Sequence, residues 1–216
     1  MKTLCIYGSG GMGREIVDLA YKINKWSKIV FVDDSTTSSI IDGIDVFTLD
    51  KALSQFASNP KDSEFIVAVG QPSSRRALYE RLKQHNLNCI SVIYPGFDLS
   101  RLSSIQSGCI VHTGTTITVN VHIGRGCLVN KHVVIGHDVD IGDYTVISPN
   151  ASIGGDVSIG AGCFLGSGAI IRNGINIGEN SVIGMGAVVL KDVKPNSVMV
   201  GNPARFLKSS VSKINI

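Results

Sequence analysis

His137 and Asp138 are the residues of this 216-residue chain best suited to moving a proton. An imidazole ordinarily titrates near neutrality, and a carboxylate directly after it is placed to orient the ring or to steady its charge. An amine attacking a carbonyl must lose a proton, and a positioned base of this kind typically contributes about 10²- to 10⁴-fold in rate. The second chemical signal is Gly8-Ser9-Gly10-Gly11-Met12-Gly13, a G-x-G-x-x-G pattern with Asp33 twenty residues past its last glycine. Bare backbone amides at a helix N-terminus suit a phosphate, and a carboxylate at that spacing suits ribose hydroxyls. Three readings are open for it: a nucleotide-sugar site, a dinucleotide site and a tight turn with no ligand. The unit that carries it spans about 93 residues, enough for one mononucleotide-binding half and too short for the second half that a nicotinamide needs.

The elements that must position these groups have two different rhythms. From Ile105 to Val189 an aliphatic residue returns every six positions without a miss, fifteen times in succession, through Val111, Ile117, Ile123, Val129 and Ile135 onward. The residue four places after each aliphatic is small or β-branched in nearly every turn, as at Cys109, Thr115, Cys127, Ala151, Cys163 and Ala187. A period of six fits neither an α-helix nor an alternating strand. It predicts a coil of three short strands per eighteen residues, with aliphatics inward and glycines easing the corners. About five coils stacked at strand spacing give a prism roughly 24 Å tall. His137, two residues past an inward aliphatic, then lies near a corner. The other histidines of the repeat, His112, His122 and His132, differ from it and from one another by neither eighteen nor thirty-six positions, so they do not stack into a metal column. No metal is expected, and His132 is the second candidate base. A solvated surface histidine is the bland alternative for His137.

Cys109, Cys127 and Cys163 differ by multiples of eighteen and share one column, where burial as small apolar residues is the expectation. Cys5 and Cys89, in apolar strand-like runs, read the same way.

Residues 1–93 alternate strand and helix: strands over Lys2–Tyr7, Lys28–Val32, Phe65–Val69 and Cys89–Ile93, helices over Gly13–Asn24, Leu49–Phe56 and Ser73–His85. That alternation predicts a small Rossmann-like α/β unit with a parallel sheet. Tyr94-Pro95-Gly96 marks the change to the six-residue rhythm, so residues 94–216 form the prism and its tail. A formal net charge of +3 with 17% charged and 44% hydrophobic residues argues against nucleic acid or membrane as partner. The N-terminal run lacks the pattern of a signal peptide and no apolar run is long enough to span a bilayer, so the cytoplasm is the expected compartment.

The hexads resemble those of the left-handed β-helix acyltransferases, and Gly201-Asn202-Pro203-Ala204 looks like the G-x-P-A tail of the acetyl-CoA users among them. With Tyr7–Gly13, Val32-Asp33-Asp34 and Ile135-Gly136-His137-Asp138, almost the whole chain is similar to the bacterial sugar acetyltransferases grouped with NeuD and PglD. The resemblance implies the left hand of the coil, a homotrimer and acetyl-CoA as co-substrate. It implies His137 as general base and Asp138 as the carboxylate that raises its basicity. It implies nucleotide-sugar contacts at Gly10, Gly11, Met12, Asp33, Asp34 and Gly70, and coenzyme contacts at Ser167 and Met185. The chain departs from that pattern where the family often has histidine, at Met12, and at Val146, nine residues beyond the base. Arg205 and Lys208 could meet coenzyme phosphate or could be solvated tail charges. The expected activity is transfer of acetyl to the amino group of a UDP- or dTDP-linked 4-amino-4,6-dideoxysugar by direct attack. The alternatives are sugar O-acetylation, as on sialic acid, and a non-catalytic nucleotide-sugar-binding scaffold.

Overall fold

The computed structural model describes residues 2–56, 62–87, 89–97 and 99–210. The first unit contains β1 (Lys2–Tyr7), α1 (Gly11–Ile23), β2 (Trp26–Val32), β3 (Ile40–Ile41), β4 (Ile44–Phe47), α2 (Leu49–Phe56), β5 (Ser63–Val67) and α3 (Pro72–Gln84). Its sheet runs β3-β4-β2-β1-β5, parallel except for the β3–β4 hairpin. Phe65–Val67 of β5 and Leu4–Tyr7 of β1 are buried on both faces, which is why these stretches are continuous apolar runs rather than alternations. α1 turns Ile16, Val17, Leu19 and Ala20 to one side of the sheet, while α2 and α3 add Leu49, Ala52 and Leu82 to the other.

The structure differs from the sequence expectation in particulars that have local causes. α1 begins at Gly11 rather than Gly13, and β5 runs from Ser63 to Val67 rather than from Phe65 to Val69. The hairpin Ile40–Phe47 was not expected, although Asp42-Gly43 takes two positive φ angles, 50° and 77°, in the manner of a two-residue turn. Cys89–Ile93 is not one strand of the small sheet. Cys89 makes a single bridge to Phe65, and Val92–Ile93 pairs instead with Ile110–Val111 on the prism.

The prism is the expected parallel β-helix, with two faces of five strands and one longer face of eight. The longer face runs through Val92, Ile110, Leu128, Val146, Phe164 and Val182 to Val198, and an antiparallel tail strand, Arg205–Ser209, closes its edge. The interior is the predicted column, Val111, Ile117, Ile123, Val129, Ile135 and their successors, with Cys109, Cys127, Ala151, Cys163 and Ala187 beside them. The thiols of Cys109, Cys127 and Cys163 donate to carbonyls fifteen residues on, at 3.0, 3.2 and 3.3 Å, and Thr145 in the same column does so at 3.0 Å. All five cysteines are buried and free. Each corner is a backbone ladder one coil tall: Asp138 donates its N–H to Val119, Asp156 to His137, and Gly174 to Gly155.

The two units share one apolar cluster, in which Leu4, Ile6, Ile16 and Val17 meet the outward side chains of Val92, Ile110, Leu128 and Val146. Arg75 of α3 is buried between them and donates to the carbonyls of Gly126 on the prism, of Val67 at the end of β5 and of Val69 just after it. No helix among the described residues is long and apolar enough to cross a membrane.

Candidate active site

His137 and Asp138 stand on the corner formed by residues 119–120, 137–138, 155–156 and 173–174. Asp138 has φ of 57°, in the left-handed region that aspartate and asparagine enter more cheaply than most residues. That turn brings its carboxylate back beside its neighbour, and Oδ2 lies 2.8 Å from His137 Nδ1. Because an ionised carboxylate only accepts, Nδ1 carries the proton and Nε2 keeps a free lone pair. The ring is 60% exposed, so an incoming nucleophile has access to it. The other oxygen, Oδ1, accepts from Asn120 Nδ2 at 2.6 Å. Donation from Asn120, and secondarily from His137, holds the Asp138 carboxyl below its ordinary range, so it is ionised at neutral pH. On the next coil, a Cβ placed on Gly155 would stand 2.6 Å from both Cε1 and Nε2 of His137. The missing side chain is what leaves room for the ring. Neither Asn120 nor Gly155 was singled out from the sequence, although Asn120 lies eighteen residues before Asp138 and Gly155 eighteen after His137.

The remaining histidines are dispersed. His132 sits on the preceding corner over Gly114, His122 shares a hydrogen bond with Ser104, and His112 is buried near Glu15. Among the described residues no group of three or more His, Cys, Asp or Glu converges.

Gly10, Gly11, Asp33, Asp34 and Gly70 come together where β1, β2 and β5 end side by side. A Cβ on Gly10, Gly11 or Gly70 would meet nothing within 4 Å, so bare backbone faces open space at all three. One on Gly13 would land on the Gly8 carbonyl oxygen, so helix α1 can leave the turn only with glycine there. Asp33 is fully engaged by the protein: Oδ2 accepts from Ser9 N and Oγ at 2.9 and 2.6 Å, and Oδ1 from Ser35 N and Oγ at 2.9 and 2.6 Å. Burial alone would raise its pKa, but these bonds win and hold it at about 2. Asp34 accepts from Tyr7, Arg81 and the Leu49 N–H. The paired aspartates thus fix the loops around the glycine turn. Met12 packs against the shared apolar cluster.

Ser167 and Met185 share the other corner of the same face, joined by the Gly186-to-Ser167 backbone bond. Met185 is exposed, and nothing stands within 4 Å of a Cβ on Gly168 or Gly186, so this corner fits a ligand held largely through backbone. It is separated from His137 by one six-residue face, about 20 Å across, and by two to three coils along the prism. Val146 is buried under the first unit, away from the His137 corner. A cleft of about 460 Å³ between α3 and a third corner, lined by Arg76, Glu80, Tyr144 and Asn180, contains none of these groups.

Comparison with known proteins matches residues 3–82 to the PglD N-terminal domain, residues 120–155 to the bacterial transferase hexapeptide repeat and residues 156–191 to the hexapeptide repeat of succinyl-transferase. A GDP-perosamine N-acetyltransferase of Escherichia coli O157:H7 is 32% identical over 130 residues, so the match spans 57% of this chain and 57% of that relative. Among solved structures, the acetyltransferase domain of PglB from Neisseria gonorrhoeae FA1090 is 28% identical with a TM-score of 0.88, over 96% of this chain and 100% of that one. PerB from Caulobacter crescentus, in complex with CoA and GDP-perosamine, is 25% identical with a TM-score of 0.88, over 96% and 98%. With a unit matched to the PglD N-terminal domain joined to a hexapeptide-repeat prism in the order and shape of these relatives, the chain is similar to the NeuD/PglD-like sugar acetyltransferases.

Proposed function

We propose that the protein transfers acetyl from acetyl-CoA to the amino group of a nucleotide-linked amino-deoxy sugar, with residues 1–93 holding the nucleotide and residues 94–216 performing the transfer. The observation that carries this reading is the exposed His137 ring with Nδ1 committed to Asp138 and Nε2 free. In the reaction, the sugar nitrogen attacks the thioester carbonyl as Nε2 takes its proton; the new C–N bond replaces the C–S bond, and the proton leaves with the CoA sulfur. His137 is the base, Asp138 holds its tautomer and steadies the imidazolium, and no acyl-enzyme is formed. Gly10, Gly11 and the N-terminus of α1 offer amides to the diphosphate, with Met12 and Gly70 bordering it and Asp33 and Asp34 setting the loops. UDP and dTDP are the nucleotides expected from sequence, and the relatives named for GDP-perosamine add GDP to that list.

The groove that brings coenzyme to His137 needs a second prism. Val134 and Ile170 project from the face between the two corners and are 45% and 47% exposed, with Val119 and Leu190 at its His137 edge and Met185 at the other. An apolar stripe of this kind on a soluble chain is an interaction surface. A homotrimer that covers it would set the Ser167–Met185 corner of one subunit against His137 of the next. Because acetyl-CoA is a cytoplasmic metabolite, the reading places the enzyme in that compartment.

The test is thiol release from acetyl-CoA with a panel of UDP-, dTDP- and GDP-linked 4-amino-4,6-dideoxysugars and with sialic acid. Turnover on an amino sugar nucleotide is the expected result. Turnover on sialic acid alone would replace the reading with O-acetylation, and no thiol release with any acceptor in the panel would leave the protein a binding scaffold.

A further inference from the structure

We infer that Asn120 is a positioning residue for the His137–Asp138 pair: its side-chain amide locks the Asp138 carboxylate and thereby sets which His137 nitrogen keeps the lone pair. The inference deepens the acetyl-transfer reading, and only its kinetic consequence rests on that reading. Asn120 and Asp138 both have φ of 57° and occupy equivalent places one coil apart, so their side chains face each other along the corner. The amide nitrogen of Asn120 reaches Oδ1 at 2.6 Å while Oδ2 takes His137 Nδ1 at 2.8 Å. The two carboxylate oxygens therefore have separate, opposed duties. A half-exposed carboxylate held by the imidazole alone would turn about its terminal torsion and exchange partners with water. Anchored at Oδ1, it presents Oδ2 to the ring in one orientation.

A plainer explanation is that asparagine stands there because the backbone is left-handed. Glycine meets that need at Gly174 on the same corner, with φ of 69°, and would supply no donor. The coil above cannot supply one either, since its equivalent residue is Asp156, also left-handed at 59° and a second carboxylate. Only the rung below Asp138 carries a hydrogen-bond donor, and it is aimed at the oxygen that His137 leaves free. Asn120 is also the leading cause of the lowered Asp138 carboxyl, consistent with a bond to the ionised form.

Asn120→Gly keeps the left-handed backbone accessible and removes only the amide. In ¹⁵N NMR spectra at a pH where the imidazole is neutral, the native protein is expected to show His137 as a single Nδ1–H tautomer, and Asn120→Gly to shift both ring nitrogens toward the tautomer average. With both substrates saturating, kcat should fall about fivefold, the factor one net hydrogen bond carries, with KM unchanged. Asn120→Asp, which sets carboxylate against carboxylate, should fall at least as far. An unchanged melting temperature for Asn120→Gly separates positioning from folding. Native nitrogen shifts in Asn120→Gly would overturn the inference, as would shifted nitrogens with native kcat. Because the spectra need no substrate, failure of the acetyl-transfer reading would show differently: no turnover by the native protein, with the Asn120 effect on His137 intact.

Discussion

At the scale of single residues, catalysis in this account depends on a ring held from three sides: Asp138 beside it, Asn120 behind that carboxylate and the empty place over Gly155. Gly155→Ala puts a methyl 2.6 Å from Cε1 and Nε2, inside van der Waals contact, so the ring must swing off its present position. A misplacement of about 1 Å costs on the order of 10²-fold in a proton-transfer geometry. We expect kcat to drop about 10- to 100-fold with little change in the KM for sugar nucleotide, measured by steady-state thiol release. The contact between His137 and Asp138 was legible in sequence, because adjacency is written in the chain. Asn120 and Gly155 were not, because the neighbourhood that matters is eighteen residues away along a coil, and that spacing carries contacts only once the period is read as a stack.

At the scale of elements, the hexads specified the inward aliphatics and the small-residue column of the prism, whereas the left-handed corners fall three residues after each aliphatic, at Asn120, Gly126, His132 and Asp138 among others, a position that was not singled out from the sequence. The α/β unit was legible in its strand–helix alternation but not in its edges. The Ile40–Phe47 hairpin carried an Asp-Gly signal between short apolar runs, and Val92 left the small sheet for the prism because its outward neighbours Ile110 and Leu128 present a continuing apolar row. Arg75 could not be anticipated at all. Within a helix it looks like a surface charge, yet it is buried and spends its donors on carbonyls of both units. Burial lowers its pKa, and Nη2 has no partner among the described residues. Arg75→Ala leaves those carbonyls unpaired around a cavity and should destabilise the protein by about 2–4 kcal/mol in denaturant unfolding. Arg75→Lys should recover less than half of that, since an ammonium lacks the planar fork.

At the scale of the whole molecule, acid sensitivity and assembly are the properties the structure predicts. Glu64 is buried at the edge of the small sheet, which would raise its pKa, but Lys2, Lys25 and the Trp26 indole outweigh burial and bring it from 4.5 to about 2. A carboxyl depressed in the folded state contributes stability fully present above its unfolded value and lost as pH falls toward the folded one. Melting curves should therefore place Glu64→Gln below the native protein at neutral pH, with the gap closing between about pH 4.5 and 2. A gap independent of pH would remove the ion pairs as its source. Val134 and Ile170 leave an exposed apolar face, and the proposed homotrimer would cover it, which the oligomeric state in solution would show. Everything then converges on one imidazole, and the most direct measurement is turnover by His137→Ala alongside its binding of sugar nucleotide. His137→Ala should show kcat reduced by about 10²- to 10⁴-fold with binding of the sugar nucleotide retained. Native turnover by His137→Ala would rule out the imidazole as the base.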